Sequence, residues 1–178
     1  FTNNKDILFT AIVFDKNSVD LLHNLNSPMF KTASFDLIYI PFLYYISKKN
    51  KPTIISTGLS NIAEVEEAVN TFYSNDNHRV ALLHCVSNYP ASLKNLNVNV
   101  IKTLNRVFDV PIGFSDHTLG TIAPSIAVAL GADIVEKHFT LDRDMEGPDQ
   151  KLSLPSDMFK EMVDKIRDIE KGLGNGLK

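Results

Sequence analysis

The stretch TIISTGLSNIAEVEEAVNTFYSNDNHRVALLHC, Thr53 to Cys85, holds one full repeat of the pattern that sets the fold. Thr53 to Ser56 and Val80 to Cys85 are short β-branched or apolar runs of strand length. Between them, Asn61 to Phe72 is amphipathic at helical spacing. Asn61 stands at the N-cap and Glu64 three residues on, the two halves of a capping box. A strand, a crossover helix and a strand predict a parallel pair.

Working outward, Ile7 to Val13, Met29 to Thr32, Ile112 to Phe114 and Ile134 to Lys137 repeat the strand signal. Ala123 to Leu130, stopped by Gly131, repeats the helix. Asp157 to Leu173 reads as a last amphipathic helix, and Gly172, Gly174 and Gly176 as a flexible exit. Six βα units in a row either stay open and doubly wound or close as an eight-unit barrel. No Gly-x-Gly-x-x-Gly follows the first strand, and polar residues cluster at the C-terminal ends of several strands. The expected class is therefore α/β, a (β/α)8 TIM barrel of which 1–178 holds about six units. A whole barrel takes roughly 250 residues, so with 178 residues and Phe1 in place of Met, the chain is expected to start inside a domain. No second domain is visible.

A composition 44% hydrophobic and 22% charged permits a sizeable core and excludes disorder, collagen and coiled coil. No run approaches the roughly 20 apolar residues of a membrane helix. Phe1-Thr2-Asn3-Asn4-Lys5 lacks the basic-then-apolar profile of a signal peptide. A cytoplasmic setting is expected, and the single Cys85 forms no internal disulfide. The net charge is -3 and no Lys/Arg block occurs, so nucleic acid is not an expected partner. An anionic ligand would have to be held by a few placed groups and helix N-termini.

Those groups fall at strand ends. Period-two alternation places Glu136 and His138 on one side with Lys137 on the other, and Ser115 with His117, while Asp116 turns away or already lies in the loop. Adjacent strands lie about 5 Å apart, so two imidazoles at successive strand ends could share a divalent ion of Mn or Mg type, with Glu136 or Asp149 as oxygen donors. Lys31, followed by Thr32-Ala33-Ser34, offers a cation and a hydroxyl to a phosphate or carboxylate. Ser56-Thr57-Gly58 offers a second anion contact, because glycine lets backbone N–H groups come close. His84-Cys85-Val86-Ser87-Asn88-Tyr89-Pro90 is too polar for a plain turn and reads as binding.

Each reading has a plainer rival. His117 and His138 could be hydrogen-bonded barrel-mouth residues, and Glu136 could pair with Lys137 or Lys31 as a buried ion pair. Asp149 could cap or turn within Gly147-Pro148-Asp149, and Ser-Thr-Gly is a common turn. A catalytic Cys85-His84 pair is poor, since strand neighbours face opposite ways; Cys85 reads as a small buried residue. His23 and His78 read as surface residues.

The blocks Lys31-Thr-Ala-Ser34, Ser56-Thr-Gly58, His84-Cys-Val-Ser-Asn-Tyr-Pro90, Gly113-Phe-Ser-Asp-His117-Thr, Glu136-Lys-His-Phe-Thr140 and Gly147-Pro-Asp149, in that order, resemble the N-acetylneuraminate (sialic acid) synthase family. That family includes legionaminate, pseudaminate and spore-coat polysaccharide relatives. The resemblance implies a metal-dependent condensation of phosphoenolpyruvate with N-acetylmannosamine or a related N-acetylated amino sugar, releasing phosphate. It implies His117 and His138 as ligands of a divalent metal, Mn or Mg. It implies Lys31, Ser34, Ser56, Ser87 and Ser115 as phosphoenolpyruvate contacts, with Thr10 beside them, and Tyr89, Glu136 and Asp149 on the sugar side. Glu136, His117 and Asp36 form the implied catalytic set, Glu136 first and Asp36 second for proton transfer.

Phe35, Ala11 and Gln150 depart from the glycine, proline and histidine usual in the family, and these departures bear on the sugar. The resemblance also implies two earlier βα units, a C-terminal antifreeze-like domain and a domain-swapped homodimer for the full-length protein. The rival functions are another phosphoenolpyruvate-dependent synthase making a keto-deoxy sugar acid, and a non-catalytic barrel remnant. An unrelated phosphate-binding barrel ranks last.

Overall fold

Buried β-branched and aromatic runs separated by amphipathic segments give alternating strands and helices. The structure, a computed structural model, describes Lys5, residues 7–175 and Leu177. Phe1 to Asn4, and Gly176 of the glycine run, lie outside the described residues. Residues 1–82 and 83–178 form two compact units, and strand β3 (Val80–Cys85) gives three residues to each.

The first unit runs α1 (Lys16–Asn24), β1 (Phe30–Thr32), α2 (Ile40–Ser47), β2 (Thr53–Ser56), α3 (Ile62–Tyr73) and the start of β3, with strand order β1-β2-β3. β1 and β2 are parallel, with Phe30 opposite Thr53 and Thr32 opposite Ile55. The predicted capping box is present: the Asn61 side chain accepts from the N–H groups of Ala63 and Glu64, and Glu64 accepts from the Asn61 N–H at 2.8 Å. Phe30, Leu37, Leu43, Ile46, Ile55, Phe72 and Leu82 are fully removed from water. Each such side chain is worth about 1.5–3 kcal/mol of burial.

The strand expected over Ile7 to Val13 does not form a ladder. Ile12 makes one parallel bridge to Lys31, Val13 N–H donates to Lys31 O at 3.0 Å, and Ile7, Leu8 and Phe9 remain exposed. An apolar run becomes a strand only where backbone partners lie alongside it for several residues. Among the described residues, five strands and one bridged segment therefore stand where six strands were expected.

The second unit continues through α4 (Val100–Val107), β4 (Ile112–Asp116), α5 (Ile122–Ala129), β5 (Ile134–Lys137) and α6 (Ser156–Leu173), with strand order β3-β4-β5. β4 and β5 are parallel; Ser115 stands opposite Glu136 and Asp116 opposite Lys137. A Cβ on Gly113 would lie 2.6 Å from the Ile134 carbonyl oxygen, so only glycine fits this close approach of strands. α6 packs on α5, and Val128, Met162 and Ile166 share one core cluster with Leu154. Gly131 ends α5 with φ 97°, as the glycine stop predicted. Gly172 belongs to α6 rather than to a flexible exit, because the helix runs on to Leu173.

Candidate functional site

In the first unit the polar groups gather at the C-terminal ends of β1 and β2. Lys31 is 5% exposed, and its ammonium donates to the Thr32 carbonyl and to Ser56 Oγ, both at 2.7 Å. Gly58 N–H donates to Ser34 Oγ at 3.2 Å, so the two strand-end loops are tied to each other. Asp36 sits in a short 3-10 turn, Ser34–Asp36, and is buried; its Oδ2 has no hydrogen-bond partner among the described residues. Burial pushes this carboxyl above the usual aspartate range, opposed by a backbone hydrogen bond at Ala33 and by the charge of Lys31. The Thr10 hydroxyl donates to the Met29 carbonyl at 2.8 Å, fastening the segment before β1.

In the second unit, the parallel register brings the site together. Ser115 Oγ lies 2.7 Å from Glu136 Oε1 and 3.3 Å from His117 Nε2. A hydroxyl has one proton, and the shorter contact to a carboxylate takes it. His117 Nδ1 is 2.8 Å from the Val86 carbonyl, which only accepts, so the hydrogen bond assigns the proton to Nδ1. Nε2 then keeps its lone pair. Burial holds His117 below the ordinary histidine range, only partly offset by the Val86 hydrogen bond, and the neighbouring His138 lowers it further.

The His138 ring centroid is 5.6 Å from that of His117. Its carbonyl accepts from Leu154 N–H at 2.9 Å, continuing β5 by one bridge from Phe139 to Leu154. Tyr89 lies over the His117 ring at 4.1 Å and meets His138 edge-on at 5.9 Å. Burial, then the charges of Glu136 and Asp149 nearby, raise the Tyr89 hydroxyl above its usual value, so it stays a donor at neutral pH. Asp149 occupies the N-cap position of a 3-10 turn, Gln150–Leu152, yet its carboxylate caps nothing and stands 3.9 Å from His138 Nδ1. Ser87 is exposed in the loop after β3.

The structure thus gathers Ser115, His117, Glu136, His138, Tyr89 and Asp149 in one unit, and Lys31, Ser34, Ser56 and Asp36 in the other. Among the described residues, no three His, Cys, Asp or Glu side chains converge as a ready-made ion cage. His84 binds the Leu96 carbonyl at 2.7 Å and packs against Phe114, which makes it a framework residue. Lys137 pairs with Asp116 at 2.6 Å instead of with Glu136. Strand parity turned Lys137 away from the site and left Asp116 outward or in the loop; their opposition in the register was the missing signal.

Among known proteins, an uncharacterized protein of Methanocaldococcus jannaschii is 51% identical over 97% of this chain and 51% of its own length. The N,N'-diacetyllegionaminic acid synthase of Campylobacter jejuni is 43% identical over 97% of this chain and 52% of its own. The crystal structure of the N-acetylneuraminic acid (sialic acid) synthetase of Leptospira borgpetersenii, in complex with citrate, superposes with a TM-score of 0.95 at 36% identity, covering 99% of this chain and 61% of that one. The chain spans about half the length of the curated relatives it matches. The NeuB family model matches residues 1–178, and the chain belongs to the NeuB family.

Proposed function

We propose that the full-length protein condenses phosphoenolpyruvate with an N-acetylated amino sugar, N-acetylmannosamine or a close relative, to give a nonulosonic acid and phosphate. The observation that carries this reading is the hydrogen-bonded set Ser115, Glu136 and His117 with His138 and Tyr89 beside it, in a chain of this family. In the reaction, C3 of phosphoenolpyruvate bonds to the aldehyde carbon of the open-chain sugar, water adds at C2, and phosphate leaves by C–O cleavage.

The donor set suits a divalent ion. His117 keeps an Nε2 lone pair, His138 is its neighbour, and both carboxylates offer hard oxygens. Two imidazoles would leave such an ion open positions for water and substrate. Such an ion, Mn or Mg, supplies Lewis-acid polarisation of the acceptor aldehyde.

The remaining roles belong to side chains. Lys31, with Ser56 and Ser34, gives cation and hydroxyl contacts suited to the phosphate and carboxylate of phosphoenolpyruvate, and Ser87 and Ser115 extend that set. Glu136, hydrogen-bonded to Ser115, is the base for the proton lost as water adds; Asp36, a carboxyl whose hold on its proton is strengthened by burial, is the second proton carrier. Tyr89 and Asp149 face the sugar. The parallel strands in chain order and the half-length coverage support 1–178 as part of a (β/α)8 barrel. The cytoplasmic setting and the homodimer belong to the same reading of the full-length protein.

The test is phosphate release from phosphoenolpyruvate by the full-length protein with Mn, amino sugars being added one at a time. Sugar-dependent release is the expected result. No release with any sugar, from folded and metal-loaded protein, overturns the reading.

A further inference from the structure

Asp116 and Lys137 stand opposite each other in the β4–β5 register, one residue before His117 and one before His138. Their side chains are 0% and 1% exposed, and the Lys137 ammonium lies 2.6 Å from Asp116 Oδ2. The same ammonium also donates to the Thr118 carbonyl. Asp116 takes in turn the Thr118 N–H on Oδ1 at 2.9 Å and the Thr118 hydroxyl on Oδ2 at 3.1 Å. The N–H and C=O of the residue after His117 are therefore tied, through one buried cluster, to the residue before His138.

Stability does not explain this arrangement. One step earlier on the same face, Phe114 and Val135 form an ordinary apolar pair in the register. Replacing it with a desolvated ion pair is neutral or costly compared with apolar packing. What such a pair adds is a single geometry: an ammonium with two oxygen acceptors and a carboxylate with three donors leave little rotational freedom. Burial lowers Lys137 from its ordinary value, and the hydrogen bond and charge of Asp116 work to hold it protonated.

We propose that Asp116, Lys137 and Thr118 are positioning residues, a buried clamp behind the two strands that fixes the His117 and His138 imidazoles side by side. From the other side the Leu154 N–H holds the His138 carbonyl, so His138 is flanked by two restraints. The functional consequence, an ion site whose two ligands are preset, rests on the metal-dependent reading given above. The geometric part does not.

The test uses the full-length protein with isotope-labelled histidine and tyrosine. The Asp116→Asn/Lys137→Met double variant leaves no unpaired buried charge, and Thr118→Val removes only the hydroxyl contact. Ile166→Ala, a cavity in the α5–α6 contact, controls for loss of stability alone. Ring-to-ring NOEs between His117 and His138 and between Tyr89 and His117, read without metal, report the geometry; Mn affinity reports its use.

The double variant is expected to lose the His117–His138 NOE and to bind Mn roughly 10 to 100-fold more weakly. Thr118→Val is expected to weaken both in part, and Ile166→Ala to keep both. Retention of the NOEs and of Mn affinity in the double variant overturns the proposal. If the double variant does not fold, Thr118→Val decides: unchanged NOEs and affinity overturn the clamp, and partial loss supports it. Wild-type protein that shows the NOEs but binds no Mn would sink the metal-dependent reading, and the clamp would then stand or fall on the NOEs.

Discussion

Lys31 is a cation almost removed from water, and its ammonium donates to the Thr32 carbonyl and to the Ser56 hydroxyl. A desolvated ammonium binds an anion more strongly than an exposed one, because a charged partner gains more in that setting than in solvent. Lys31→Met in the full-length protein keeps the apolar stem and deletes the charge. With a charge-assisted hydrogen bond worth about 1.5–3 kcal/mol, the KM for phosphoenolpyruvate is expected to rise roughly 10 to 150-fold, with a smaller effect on the sugar KM. Steady-state phosphate release checks this, and an unchanged phosphoenolpyruvate KM removes Lys31 from the site.

At this same scale the sequence was most readable. Period-two alternation placed Ser115 with His117, Glu136 with His138, and Lys137 behind them. It did not show who bonds to whom, because Ser115 and Glu136 meet only through a register 21 residues apart in the chain. The His138 contact with Asp149 likewise depends on the path of a loop.

Elements were legible where their signals are local. The Asn61 and Glu64 capping box sits within one helical turn and folded as read. Ile7 to Val13 failed because β-branched and aromatic content marks a capacity to pair and does not supply the partner. Gly113 shows the opposite case, a residue whose meaning appears only once strands are packed. Its absent Cβ would stand 2.5 Å from Leu83 Cδ2, 2.6 Å from Ile134 O and 2.8 Å from Ile134 Cβ. The leucine tip can swing aside, but the Ile134 carbonyl is strand backbone and cannot. Gly113→Ala should therefore cost about 1–3 kcal/mol of stability by overpacking, and it should loosen the β4–β5 register that brings Ser115 to Glu136. Urea unfolding of the variant measures the first effect; a stability equal to wild type would mean that the strands part without cost.

For the whole molecule, a net charge of -3 spread without blocks leaves specific function to a few buried polar groups, and burial of those groups makes stability depend on pH. His84 and His117 are both held below the ordinary histidine value of 6.5, in each case first by burial. Below 6.5 the unfolded chain takes up protons that the folded chain refuses. Stability from these groups is thus fully present above that pH and is lost as pH falls toward the folded values, with a slope of up to about 1.4 kcal/mol per pH unit per group. Asp36 acts in the reverse sense, its raised folded value favouring the folded state as pH falls, but only from its raised value down toward 3.8. Asp20, lowered chiefly by its hydrogen bond with Lys49, loses its contribution only below 3.8. The Asp20 window lies below the histidine one, and wherever Asp36 titrates it opposes the two histidines. On lowering the pH from about 7.5 to about 5.5, the thermal midpoint of the metal-free protein should fall. His84→Asn removes one of the two histidines that burial holds down, and although it lowers stability at neutral pH, it should flatten the fall. A midpoint that does not move across this window in the wild type, or a slope unchanged in His84→Asn, would mean that these imidazoles do not resist protonation in the folded protein.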